Sequence, residues 1–144
     1  MVNISTRYIK GDYTKNIEVE TNDPEMPVLK LTMKGKVVEI LSVTPMDVNF
    51  GTVKTGSVHK KMFNITNKGK ETLTITSISA HPPTVLSTPH QGKVKLEAGK
   101  SISVEVSFQA GLPTDFFFGT LHVETDHLTI KAKDARIRAK VVGN

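Results

Sequence analysis

The chain has no cysteine and no tryptophan, and only two tyrosines among its 144 residues. Without cysteine there is no disulfide, no zinc–thiolate centre and no thiol nucleophile. Without tryptophan, and with so little tyrosine, it lacks the stacking platform that single-stranded nucleic acid requires. No apolar run approaches the ~18 residues of a membrane span, and Met1–Lys10 has no signal-peptide core. Helical stripes are missing as well. No nucleophile elbow, Gly-rich phosphate loop or paired-carboxylate cleft is visible, so no enzymatic activity is expected. His81 and His90 flank a proline loop and His122 and His127 bracket the last hairpin, yet no ligand spacing joins them. Neither a metal nor any other cofactor is expected.

What is present is period-2 alternation. Ile102, Val104, Val106 and Phe108 alternate with Ser101, Ser103, Glu105 and Ser107, the pattern of a half-buried strand. Phe63 and Ile65, Leu73 and Ile75, and Leu121 and Val123 repeat it. Asn67-Lys68-Gly69-Lys70, Ala98-Gly99-Lys100 and Gly111-Leu112-Pro113 supply turns between the runs. Asn67 and Gly69 fit a hairpin with positive φ, and Gly51 and Gly56 fit turns or close backbone approach. Near Asp134 the apolar parity switches from even (Ile130, Ala132) to odd (Ala135 to Val141), which predicts a bulge or short turn there. Short strands rich in Thr, Val and Ile at this spacing predict an all-β sandwich.

Sliding the chain by 104 positions lays residues 1–38 on residues 105–142 without a gap. Val19-Glu20-Thr21 falls on Val123-Glu124-Thr125, and Lys36-Val37-Val38 on Lys140-Val141-Val142. The expected organisation is a complete unit at 39–144 preceded by the last strands of a truncated unit at 1–38. Val2–Ser5, Asn16–Thr21 and Val28–Val38 are the strands of that fragment. Met1 is then not expected to be the natural beginning of a domain. Leu29, Leu31, Met33 and Val37 form one apolar face that needs cover, because a few strands with half a core are marginal alone.

Several ordered phrases carry a family resemblance. They are Phe50-Gly51-Thr52-Val53 with Gly56; Phe63-Asn64-Ile65-Thr66-Asn67-Lys68-Gly69 with Leu73-Thr74-Ile75; and Leu96 to Ser101. Val19-Glu20-Thr21-Asn22-Asp23-Pro24 and Leu31 to Val37 complete the set. Together they resemble the bacterial domain-of-unknown-function family fifteen-seventy-three, which is similar to Hydin-type and major-sperm-protein/PapD-like immunoglobulin-fold domains. The resemblance spans essentially the whole chain. It implies tandem immunoglobulin-like sandwiches without an established catalytic role, in the cell envelope or secreted where an upstream signal exists. Family members often carry a Cys-Gly-Cys-Thr-like element where this chain reads Ala80-His81-Pro82-Pro83-Thr84. The second copy also replaces Asn-Asp-Pro by Asp126-His127-Leu128, so its hairpin is expected to be tighter or differently shaped. In the first copy, Asn22 or Asp23 is expected to bond its own following backbone.

Two surfaces are candidates for function. Leu29, Leu31 and Met33, with Phe116 and Phe118, are candidate contacts for protein partners, adjacent repeats or a second copy joined by strand pairing. Alternation sends Phe117 to the core side with Leu121 and Val123, and Phe116 and Phe118 to the other side. The net charge of +5 resides in residues 41–144, with thirteen basic against eight acidic groups. Lys131, Lys133, Arg136, Arg138 and Lys140 form a basic strand face. It offers an alternative function, binding of nucleic acid or acidic polysaccharide, although a solvated strand face whose lysines discourage edge pairing is the simpler account of it. The expected function is a non-enzymatic structural or protein-interaction module.

Overall fold

The computed structural model describes residues 3–6, 9–90 and 92–144, and every described element is a strand or a connection. The chain divides into two units, Met1–Glu39 and Ile40–Asn144.

The first unit is a hairpin of β1 (Gly11–Glu20) and β2 (Val28–Val37), paired antiparallel along their full length. The strand expected at Val2–Ser5 is not formed at Asn3–Ser5, and Val2 lies outside the described residues. The reason is in the pairing. The equivalent segment of the second unit is held by a strand on its flank, and residues 3–5 have no such partner among the described residues of the first unit.

The second unit contains β3 (Leu41–Thr44), β4 (Asp47–Lys54), β5 (Val58–Asn67), β6 (Leu73–His81), β7 (Leu86–Ser87) and β8 (Val94–Leu96). It continues with β9 (Ser101–Gln109), β10 (Thr114–Thr125) and β11 (Ala132–Val142). One sheet has the order β4-β11-β10-β6-β8 and the other β3-β5-β9-β7. Between Thr44 and Asp47 the chain crosses from one sheet to the other, and β4 then lies parallel to β11. Each long strand alternates buried and exposed residues, and the buried set fuses into a single core running from Leu41 to Val141. Phe63, Ile65, Ile75, Val106, Phe108, Leu121, Val123 and Ile137 are fully buried within it.

Three local devices hold this frame. Asn67 is completely buried, and its amide nitrogen donates to Glu71 O and Leu96 O at 2.8 Å each. Its Oδ1 accepts from Gly69 N at 2.9 Å, while its own N–H and C=O bond Lys100 and Gly99. One side chain therefore ties the β5–β6 and β8–β9 turns together. This corrects the sequence expectation, since neither Asn67 nor Gly69 has positive φ. Gly69 sits in a tight space: a methyl there would lie 3.1 Å from Asn67 Oδ1 and from Ile40 Cγ2, close enough that these side chains would have to shift. Gly119 on β10 is tighter still, because an added Cβ would meet Leu86 Cδ1 at 2.4 Å and the His81 carbonyl at 2.9 Å. Gly51 and Gly56 do adopt positive φ, 71° and 80°, at a bend in β4 and the β4–β5 turn.

Of the bulge or short turn expected near Asp134, the bulge is not formed and the turn ends before β11 begins at Ala132. Register runs unbroken from Phe117↔Ala139 to Glu124↔Ala132. Ala132 is exposed and shares the outer face with Asp134 and Arg136, and Ile130 packs on the core from the turn before β11. The irregularities lie instead between Thr114 and Phe117 on β10, where β6 pairs with Glu124 and Thr125, and where β4 pairs with β11 between Arg138 and Lys140.

Replacing Asn67 by Ala removes three hydrogen bonds to the backbone, the buried one to the Leu96 carbonyl and the partly buried ones to the Glu71 carbonyl and the Gly69 N–H. A loss of roughly 2–4 kcal/mol is expected in urea unfolding, and a loss below about 0.5 kcal/mol, the level of an ordinary surface change, would contradict the role given to it.

Candidate interaction surfaces

The hairpin of the first unit reproduces the β10–β11 ladder. Tyr13↔Gly35, Ile17↔Leu31 and Val19↔Leu29 stand where Phe117↔Ala139, Leu121↔Ala135 and Val123↔Lys133 stand. The turns also match, contrary to the sequence expectation. Thr21 N bonds Pro27 O at 2.9 Å and Thr125 N bonds Lys131 O at 2.9 Å. The Thr21 hydroxyl donates to Met26 O and the Thr125 hydroxyl to Ile130 O. Asp23 Oδ1 accepts from Glu25 N at 2.9 Å, and His127 Nδ1 accepts from Thr129 N at 3.2 Å. Asp23, not Asn22, makes the local bond, and His127 substitutes for it because an imidazole nitrogen can serve as the same acceptor.

Identical pairing ends in opposite burial. Leu121, Val123, Ala135 and Ile137 are fully buried, whereas their counterparts Val19 and Leu31 are 39% and 48% exposed and Ile17 is only partly buried. Leu29, paired with Val19, is also exposed. Met33 on the same face is half-buried.

The outer face of the five-stranded sheet carries the second set. Phe117 turns inward and stacks on Phe108 at 4.5 Å, and Phe108 on Phe50 at 5.5 Å. Phe116 and Phe118 face outward, 91% and 59% exposed. The equivalent positions in the first hairpin are Asp12 and Thr14, so this aromatic pair belongs to the second unit alone.

The five basic residues do not form one face. Arg136, Arg138 and Lys140 alternate outward on β11, and Lys131 precedes the strand. Lys133 pairs with Val123 and so has the inward parity. Acidic neighbours moderate the charge: Arg138 bonds Asp47 through NH2 at 3.0 Å and Nε at 3.1 Å, and Lys140 bonds Asp115 at 2.8 Å. Lys140 holds the Asp115 carboxyl below its ordinary range. Exposed pairs of this kind contribute little stability, but they diminish the field available to a polyanion.

His122 lies between two carboxylates on the same face. Nδ1 contacts Asp134 at 2.5 Å and Nε2 contacts Glu124 at 3.2 Å. The Asp134 bond raises its pKa, partial burial opposes the rise, and Glu124 adds to it. Ser79 stands across from His122 on β6, completing a Ser-His-Asp row in register. The Ser79 hydroxyl, however, bonds His81 Nε2 at 2.9 Å, and His122 turns both nitrogens to carboxylates. His122 is therefore not aimed at that serine, so the Ser-His-Asp row is not wired as a triad. The imidazole that contacts Ser79 is that of His81, which has no carboxylate partner among the described residues. Among the described residues no three metal-ligating side chains converge, and no helix is long and apolar enough to cross a membrane.

One feature is not anticipated in the sequence reading. Thr72–Ala80 runs nine residues without a charge, and it forms a strand whose outer edge is only partly paired.

The HYDIN/CFA65/VesB-like, Ig-like domain matches residues 39–140. Among solved structures, the chain is similar to the ASH/PapD-like domain 7 of human CEP192, with TM-score 0.59 and 11% identity over 73% of this chain and 87% of that one. It is similar to WR4, a Caenorhabditis elegans MSP family member, with TM-score 0.52 and 9% identity over 73% of this chain and all (100%) of that one. It is also similar to the VesB protease of Vibrio cholerae, with TM-score 0.51 and 26% identity over 71% of this chain but only 31% of VesB. No curated protein matches the chain.

Because the folded state raises the His122 pKa, the stabilisation is fully present below about pH 6.5 and is lost as pH rises through the raised value. Thermal midpoints are expected to be higher at pH 6 than at pH 8, with the difference reduced in Asp134→Asn. An equal difference in that variant would contradict the assignment.

Proposed function

The chain belongs to the HYDIN/CFA65/VesB-like, Ig-like domain family, and on that premise we propose that it is a non-catalytic protein-interaction module of a tandem array. The fold it shares with PapD-like and MSP domains suggests a protein-interaction module. The tandem organisation is supported by one observation above the others. The β1–β2 hairpin repeats the ladder and turn bonds of β10–β11, yet presents the equivalent of a core face to solvent.

On this reading residues 1–38 are the closing strands of a preceding sandwich, and Leu29, Leu31 and Met33 are contacts for the sheet that covers them. Full burial of an aliphatic side chain contributes roughly 1.5–3 kcal/mol over leaving it exposed. Several such side chains give a covering sheet, or a second copy of the chain, a substantial reason to bind. Phe116 and Phe118, far more exposed than phenylalanine usually is, supply a further contact on the second unit. The second unit needs no help from the hairpin for its core, since every fully buried apolar side chain lies between Leu41 and Val141.

Deleting residues 1–38 tests this directly. Concentration-dependent association in sedimentation velocity is expected to disappear, with the thermal midpoint of the remaining unit changed by only a few degrees. An oligomeric state unchanged by the deletion would contradict the role of the hairpin.

A further inference from the structure

The five-stranded sheet has one edge that ordinary protective devices leave open. β6 pairs with β10 over Ile75–His81, whereas β8 covers its other side only over Leu73–Ile75. Among the described residues no strand pairs with the outer edge from Thr76 to Ala80. A cleft of ≈400 Å³ opens beside this stretch, with Ile78, Ala80 and Leu86 as apolar lining and Ser77, Ser79 and Ser87 as hydroxyls.

Natural sheets blunt edges with charge, proline, bulges or very short strands. β4, at the opposite edge, carries Asp47 and Lys54 and is bent at Gly51. β7 and β8 are two and three residues long. The open stretch of β6 has neither charge nor proline, and its small side chains allow another backbone to approach.

We propose that the Thr76–Ala80 edge is a strand-addition site for an extended segment of a partner protein. This deepens the interaction-module reading and rests on it. An antiparallel guest would lie collinear with β8 and run in the same direction, so its C-terminal end would meet Lys93 and Val94. Lys93 and Lys95 are exposed, make no ion pair among the described residues, and no acidic side chain lines the cleft. The guest is therefore apolar at alternate positions, which face Ile78, Ala80 and Leu86, and acidic at its C-terminal end. Backbone bonding supplies affinity, and the alternate side chains with the terminal charge supply selectivity. Five residues of pairing correspond to about 17 Å of extended chain.

The test uses the full chain and three synthetic peptides of one length, each with the same alternating valine and threonine core. The first ends in two glutamates, the second begins with them, and the third carries two lysines at its C-terminus in their place. Amide NMR shifts are expected at Thr76–Ala80 and Leu86–Thr88, with the first peptide binding at least about fivefold more tightly than the other two. The double variant Lys93→Glu, Lys95→Glu, both exposed positions, should reverse the order of the first and third peptides. Equal binding of all three, shifts confined to Leu29–Met33 or Phe116–Phe118, or no binding at millimolar peptide would each overturn the assignment. Any of these, alongside loss of association on deleting residues 1–38, would remove this edge and leave the hairpin reading standing.

Discussion

A sheet with one apolar face is stable only when something covers that face, and the rest of this molecule follows from how the requirement is met. In the second unit, β10 and β11 lay Leu121, Val123, Ala135 and Ile137 against the opposite sheet, where Phe63, Val106 and Phe108 meet them in one core. β1 and β2 have the same backbone register. The two hairpins share this pairing, so what distinguishes them is that one apolar face is covered and the other is exposed. An isolated hairpin is marginal in water, which makes the exposed Leu29–Leu31 face the feature from which a binding role is argued.

The connections are specified more tightly than the faces. Thr21 and Thr125 close their turns with the same hydroxyl-to-carbonyl bond, and Asp23 and His127 serve as the same acceptor with different chemistry. Asn67 spends every polar group of its side chain on the backbone of two turns. These short-range devices fix where strands start and stop. The register then decides which side chains share a face, including the row in which His122 bridges Asp134 and Glu124.

Much of this was legible in the sequence. Alternation placed Phe117 inward and Phe116 and Phe118 outward. The 104-residue offset anticipated a shared register that holds from Tyr13↔Gly35 to Glu20↔Val28 and departs only at the Thr114 end of β10. The failures came where a pattern has two physical readings. The parity change near Asp134 reflected an apolar residue in a turn and an alanine on the outer face, because methyl-sized side chains carry little directional information. Asn67-Lys68-Gly69 looked like a positive-φ turn, but the glycine answers to crowding by Ile40 and Asn67. A missing Asn-Asp-Pro suggested a new hairpin shape, although an imidazole nitrogen accepts as an aspartate oxygen does. Lys133 fell among outward-facing cations only because its neighbours in sequence were cations. The open edge of β6 needed the pairing of distant strands to become visible. Only the absence of charge over Thr72–Ala80 hinted at it.

Amide hydrogen exchange, read on both hairpins of one dilute sample, tests most directly whether cover is what separates them. Amides of Leu121, Val123 and Ile137 are expected to exchange only through global opening of the second unit. Those of Ile17, Val19 and Leu31 are expected to exchange orders of magnitude faster, and to slow as protein concentration rises. Equal protection of the two hairpins at high dilution would show that the first stands without cover, and would contradict the account.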